Sequence, residues 1–125
     1  MSIKGAQQVL VESFNTAAAI PQYVAVVQGA SDYTCALPGA ANAAGFLGFT
    51  LDSTDGSQTE TIPVVMIGTA WVQAAGAITA GTTVVIANAS GQVEASTGVA
   101  TPNIIGTALS TTTTAGDICL VLIQG

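Results

Sequence analysis

Basic side chains are almost absent from this sequence. Lys4 is the only one, with no arginine and no histidine in 125 residues. Without histidine there is no Ser-His-Asp or Cys-His nucleophilic site, and the commonest zinc ligand is missing. Nucleic-acid binding needs several Lys or Arg contacts to phosphates, which one lysine cannot supply. The lack of a polybasic segment likewise argues against anionic membrane surfaces. Charge of either sign is scarce: 6% of the residues are charged, whereas a dispersed soluble domain carries roughly a quarter to a third on its surface. Long hydrophobic runs are missing too. Ile62–Val72 and Ile118–Ile123 are the most apolar stretches, too short for a membrane helix and rich in β-branched residues. The N-terminal residues make a poor signal-peptide core, so assembly in a cytoplasm is expected.

Two cysteines, Cys35 and Cys119, do not make a disulfide framework. Both lie in apolar strand-like runs. They read as small core hydrophobes, with a Cys35–Cys119 bridge as the alternative. The seven acids, Glu12, Asp32, Asp52, Asp55, Glu60, Glu94 and Asp117, are spread along the chain and give a net charge of −6. Asp52, Asp55 and Glu60 are close enough in sequence for paired-carboxylate chemistry, but a solvated loop is the plainer account. Their spacing does not match a calcium-binding loop. The Ser110–Thr114 tract has no adjoining lysine and is no phosphate cradle. No catalytic residue, metal or cofactor is expected.

What the chain does contain is Ala, Thr, Ser, Gly, Gln and Asn around a 50% hydrophobic composition. Such a surface tolerates close packing against protein far better than a lysine-covered one. It reads as a subunit built to be covered by neighbours. Length favours one domain, at residues 21–125, preceded by an extended N-terminal arm at 1–20 with one short strand over Val9–Phe14. From Tyr23 onward, short β-branched runs alternate with Gly, Pro and Asn turns. Strands are expected at Tyr23–Gln28, Asp32–Leu37, Phe46–Leu51, Ile62–Val72, Thr82–Ala87, Gln92–Ala95, Asn103–Leu109 and Asp117–Ile123. The fold class is all-β, a small β-barrel or β-sandwich. An internal repeat is visible: Gly45–Thr54 resembles Asn103–Thr112, each with a mid-strand glycine, a polar loop and an apolar returning strand.

From Gly68 to Gly125, an ordered set of segments resembles a known family. Gly76–Val84, Ser90–Val93, Ile105–Leu109, Ala115–Asp117 and Leu120–Leu122 carry it, with Gly45–Leu51 and Trp71–Ala75 fitting as well. The sequence is similar to the small decoration, or cement, proteins of tailed-bacteriophage capsids. That resemblance implies a β-rich, trimeric virion protein with no enzymatic turnover. It would sit on the outer capsid surface at threefold and quasi-threefold points, holding major capsid protein subunits of the expanded head against DNA pressure. The alternatives are another self-assembling β-rich subunit (fibre, tail or surface adhesin) and a monomeric barrel enzyme or carrier. Interface candidates are Ile3, Val9, Val11 and Phe14 in the arm, and Trp71 at the end of the longest strand. For Trp71, core, subunit-contact and carbohydrate-platform readings all stand on sequence alone.

Overall fold

The computed structural model describes residues 8–124. In chain order the strands are β1 (Gln8–Thr16), β2 (Ala19–Ile20), β3 (Ala25–Gln28), β4 (Cys35–Ala36), β5 (Phe46–Thr50), β6 (Thr54–Asp55), β7 (Glu60–Gln73), β8 (Thr83–Ile86), β9 (Val93–Ala95), β10 (Gly106–Ala108) and β11 (Ile118–Ile123). No helix occurs among the described residues. Nine strands form one antiparallel sheet in the order β4-β3-β5-β7-β11-β10-β8-β9, with β1 also on β7, and β2 pairs β6 separately. The all-β expectation holds, and each expected strand from Tyr23 onward has an observed counterpart.

The sheet curls twice around β7. A parallel bridge between Asn15 and Thr34 brings the end of β1 to the start of β4, and another between Ala74 and Val93 brings the end of β7 to β9. Strand β7 therefore closes both curls. It is 14 residues long and turns at Gly68, whose backbone is left-handed at φ 109°. The β1 register slips at the same place, between Gln8 and Val11. A bulge of this kind bends a strand and sharpens its twist. Val64 faces one apolar cluster and Val65 the other, and both are fully buried. Each such side chain stabilises the fold by roughly 1.5–3 kcal/mol relative to exposure.

Residues 8–20 are not a coreless extension. The strand expected at Val9–Phe14 is present and longer, running along β7 with Phe14 opposite Ile62. Phe14 and Ile20 are buried in the same cluster as Val24, Val26, Ile62 and Val64. Strand alternation is the reason: with Phe14 inward, Ser13 and Asn15 turn to solvent. Residues 1–7 lie outside the described residues, and with them Ile3 and Lys4.

The repeat read from sequence extends through the whole fold. A first unit, β1 to β7, and a second, β7 to β11, use the same hydrogen bonds at matching positions. The Ile20 N–H donates to Thr54 Oγ1 and the Ile78 N–H to Thr112 Oγ1, both at 3.1 Å across 34 residues. Those hydroxyls donate onward to the Ala18 carbonyl at 2.7 Å and the Gly76 carbonyl at 2.8 Å. Tyr23 N to Thr50 O is matched by Gly81 N to Ala108 O, and Leu51 N to Pro63 O by Leu109 N to Leu120 O. Strand β7 is the last strand of the first unit and the first strand of the second. The two units differ where the backbone is left-handed. The second has Gly81 and Gly91 where the first has Tyr23 and Tyr33, at φ 63° and 56°.

The paired mid-strand glycines have one cause. A Cβ on Gly48 would run into the Val65 carbonyl and Val64, and one on Gly106 into the Leu122 carbonyl and Val121. Backbone cannot yield as a flexible side chain would. Gly48→Ala and Gly106→Ala are each expected to lower unfolding free energy by about 1–3 kcal/mol or more. Gly76→Ala, with open space around it and an ordinary φ, should stay within roughly 0.5 kcal/mol of wild type. Denaturant melts of the three variants check this ordering.

Candidate functional site

Charge is so scarce that any working surface has to be apolar or neutral. Strand β11 reads Ile118-Cys119-Leu120-Val121-Leu122-Ile123, apolar at every position. Alternation sends Cys119, Val121 and Ile123 into the core and the other three outward. Ile118 lies opposite Gln73, Leu120 opposite Trp71 and Leu122 opposite Thr69. On the other side Thr107 pairs with Leu122, and the Leu109 N–H donates to the Leu120 carbonyl at 2.7 Å. The outer face of β10, β11 and β7 is thus a continuous neutral surface. Leu109 and Leu122 are each 47% exposed and Ile118 41%. Apolar surface held open by a rigid sheet is what a protein interface needs.

A second exposed group lies further along β7. Leu10 pairs with Ile67 and Val11 with Val65 at the bulge. Val9 is 73% exposed, Ile67 48% and Val11 41%.

A third feature is an aromatic tip. Tyr33 is 74% exposed on the left-handed backbone noted above. The turn that holds it is bonded internally: Thr34 Oγ1 accepts from the Ser31 N–H and donates to the Ser31 carbonyl, and Gln28 Nε2 donates to that same carbonyl. The Tyr33 carbonyl accepts from the Asn15 N–H at 2.7 Å. Beside the turn lies an open hollow of about 730 Å³ lined by Phe14, Gln28, Leu47, Met66 and Tyr33 among others.

Of the residues expected at an interface, Val9 and Val11 are exposed and Trp71 is half-buried on the outer sheet face. Phe14 is not a surface anchor. Its pairing with Ile62 turns it inward, where it is 8% exposed. Ile3 lies outside the described residues. Sequence reading missed Ile67, Leu109, Ile118, Leu122 and Tyr33. The signal for the β11 residues was there, because an unbroken apolar strand marks one covered on both faces.

The cysteines are both free and buried. Loss of hydration on burial raises both thiols above their usual pKa, which makes them poor nucleophiles. The acids serve their own loops. Asp55 Oδ1 accepts from the Ser57 N–H and hydroxyl. Asp117 gathers the N–H groups of Thr113 and Thr114 and both their hydroxyls. Among the described residues no group of three His, Cys, Asp or Glu side chains is placed to hold a metal.

Comparison with known proteins bears on this neutral, doubly curled sheet. A family model described as structural cement protein (E217 gp24/Pam3 gp6) matches residues 3–124. The chain belongs to the phage structural cement proteins. The capsid-cement resemblance, read from sequence over roughly residues 40–125, therefore extends over nearly the whole cement chain. No curated protein sequence matches it. Among solved structures, the head fiber gp8.5 N base of bacteriophage phi29 is similar, with a TM-score of 0.66 at 13% identity, covering 92% of this chain and 95% of that one. At that identity the likeness is one of fold.

The Asp117 turn has a pH consequence. The Thr113 N–H, then those of the Thr114 N–H and hydroxyl, hold its carboxyl below the usual carboxylate range. A depressed folded pKa means its stabilisation is complete above the unfolded pKa and is lost as pH falls through the folded one. Thermal melts of the wild type should therefore drop below about pH 4. Asp117→Asn should melt lower at neutral pH and show a shallower acid drop, with Asp55→Asn behaving alike.

Proposed function

We propose that this cement protein binds the outer surface of a phage capsid where major capsid protein subunits meet, at threefold or quasi-threefold points. It acts there as a homotrimer and stabilises the expanded head against the pressure of packaged DNA. The observation that carries the reading is that a chain of the cement family exposes two uncharged groups, the face of β7, β10 and β11 for a sister copy and Val9, Val11 and Ile67 for the shell. Burying a surface without charges costs little desolvation. Repeated contacts over one particle add avidity, so each contact can be modest. A ligand that binds only the assembled lattice stabilises that lattice by mass action. No turnover is involved, and the place of work is the virion exterior after assembly in the host cytoplasm.

The N-terminal residues enter this reading as a capsid contact. Val9 and Val11 are exposed on β1, and on this reading they meet a neighbouring protein. A second reading, a fibre-base subunit, is favoured by the likeness to the phi29 head fiber base. It predicts a chain that carries a distal extension rather than one that clamps the shell.

Heads assembled without the protein should open at lower temperature and lose DNA more readily than decorated heads, and equal resistance would remove the cement role. Val9→Asp/Val11→Asp, at exposed positions, should weaken sedimentation with expanded heads by about tenfold or more while leaving the thermal melt of the free protein unchanged.

A further inference from the structure

The two units pack against each other in one direction only. Ala25, Phe49 and Val65 lie on the outer face of the first unit, yet they are fully buried in the cluster that fills the second. Leu51 packs against that cluster too. The first unit thus lays its outer face over the open side of the second. The converse contact does not exist. Leu109 and Leu122, which match Leu51 and Val65, are each 47% exposed, and neither belongs to the cluster inside the first unit.

The first unit has an open side of its own. Gln28, Leu47 and Met66, none of them buried, line the hollow beside Tyr33, with the buried Phe14 at its floor. Their counterparts in the second unit are Val72, Ile86, Ile105 and Ile123, which the first unit's outer face helps to cover and which are 0, 1, 2 and 8% exposed. A one-directional contact always leaves one face and one seat unused, and copies that join them build a ring if the rotation closes.

We infer that the outer face of the second unit, centred on Leu109 and Leu122, docks on the hollow of the first unit of another copy, head to tail. The occupant is a second copy of this chain, because the molecule already seats the equivalent face on the equivalent hollow within itself. The contact repeats the side-chain part of the internal packing and not its backbone part. Inside the chain, the Gln73 N–H donates to the Tyr23 carbonyl and the Ala25 N–H to the Gly91 carbonyl, both under 3 Å, so the Tyr23–Ala25 segment is wedged between them. In the first unit the matching donor and acceptor, Asn15 N and Tyr33 O, bond each other directly. That seam is closed, and the exposed ring of Tyr33 stands at its rim as an anchor for the incoming face. The inference rests on the self-association in the proposed function and not on capsid attachment.

The test uses purified full-length protein and analytical ultracentrifugation, with no capsids present. Leu122→Asp, or Leu109→Asp as a second choice, spoils the face. Gln28→Arg/Tyr33→Gly spoils the seat at exposed positions. Circular dichroism and thermal melts check that each variant folds. Wild type should form a discrete ring, and each variant alone should associate at least about tenfold more weakly. Mixed together, a face variant and a seat variant should form a one-to-one pair, since each retains the surface the other lacks. A wild type that stays a single chain at all concentrations overturns the inference. So do variants that keep the wild-type mass, or weakened variants that fail to pair on mixing. Association without head binding would sink the capsid reading and leave this one standing.

Discussion

Everything in this molecule depends on β7 serving two apolar clusters at once. It pairs β1 and β5 near its start and β11 near its end, and it supplies fully buried residues to both clusters. A strand used this way has little room for charge, which suits a 14-residue run in which Glu60, at its first position, is the only charged residue. The bulge at Gly68 is what lets one strand serve two differently oriented curls. Without that bend, the residues that close the second curl would point away from it.

The neutral surface follows from the same economy of charge. With one lysine in the chain, the acids have almost no side-chain partner of opposite sign, and Asp55 and Asp117 are stabilised instead by N–H and hydroxyl donors of their own turns. Hydroxyls also do the buried polar work. Thr50, fully buried, donates to the Pro21 carbonyl and accepts from the Val24 N–H, and Thr112 does the equivalent for Gly76 and Ile78. Such bonds need no counterion and add no charge to the exterior. An exterior of that kind adheres by shape and apolar area rather than by steering.

The all-β class, most strand positions and one segment of the repeat were legible in sequence, because turns and mid-strand glycines are dictated by the backbone. Gly48 and Gly106 had to match, since a neighbouring carbonyl excludes a Cβ at both. The rest of the repeat was hidden where the two copies solve one backbone problem with different residues. Tyr23 and Gly81 share a left-handed conformation, and no residue pattern announces that a tyrosine stands where glycine would be easier. The pairing of β2 with β6 spans two residues on each side, too few for any periodicity. Strand β1 was read as an arm because its polar residues, Glu12 and Ser13 among them, interrupt the apolar pattern. Its membership of the core rests on Phe14 and Ile20, a signal that only long-range pairing reveals. The outer face of β11 was overlooked for the opposite reason. A strand apolar throughout carries no alternation to mark which face is buried, and only its pairing shows Ile118 and Leu122 as surface.

Sharing β7 has an effect on how the molecule comes apart. An ordinary tandem duplication can be cut at its linker into two surviving halves. Here the boundary runs through a hydrogen-bonded strand, so any division removes the closing stave of one curl or the opening stave of the other. The duplicated architecture is consequently indivisible, gained and lost in a single cooperative event.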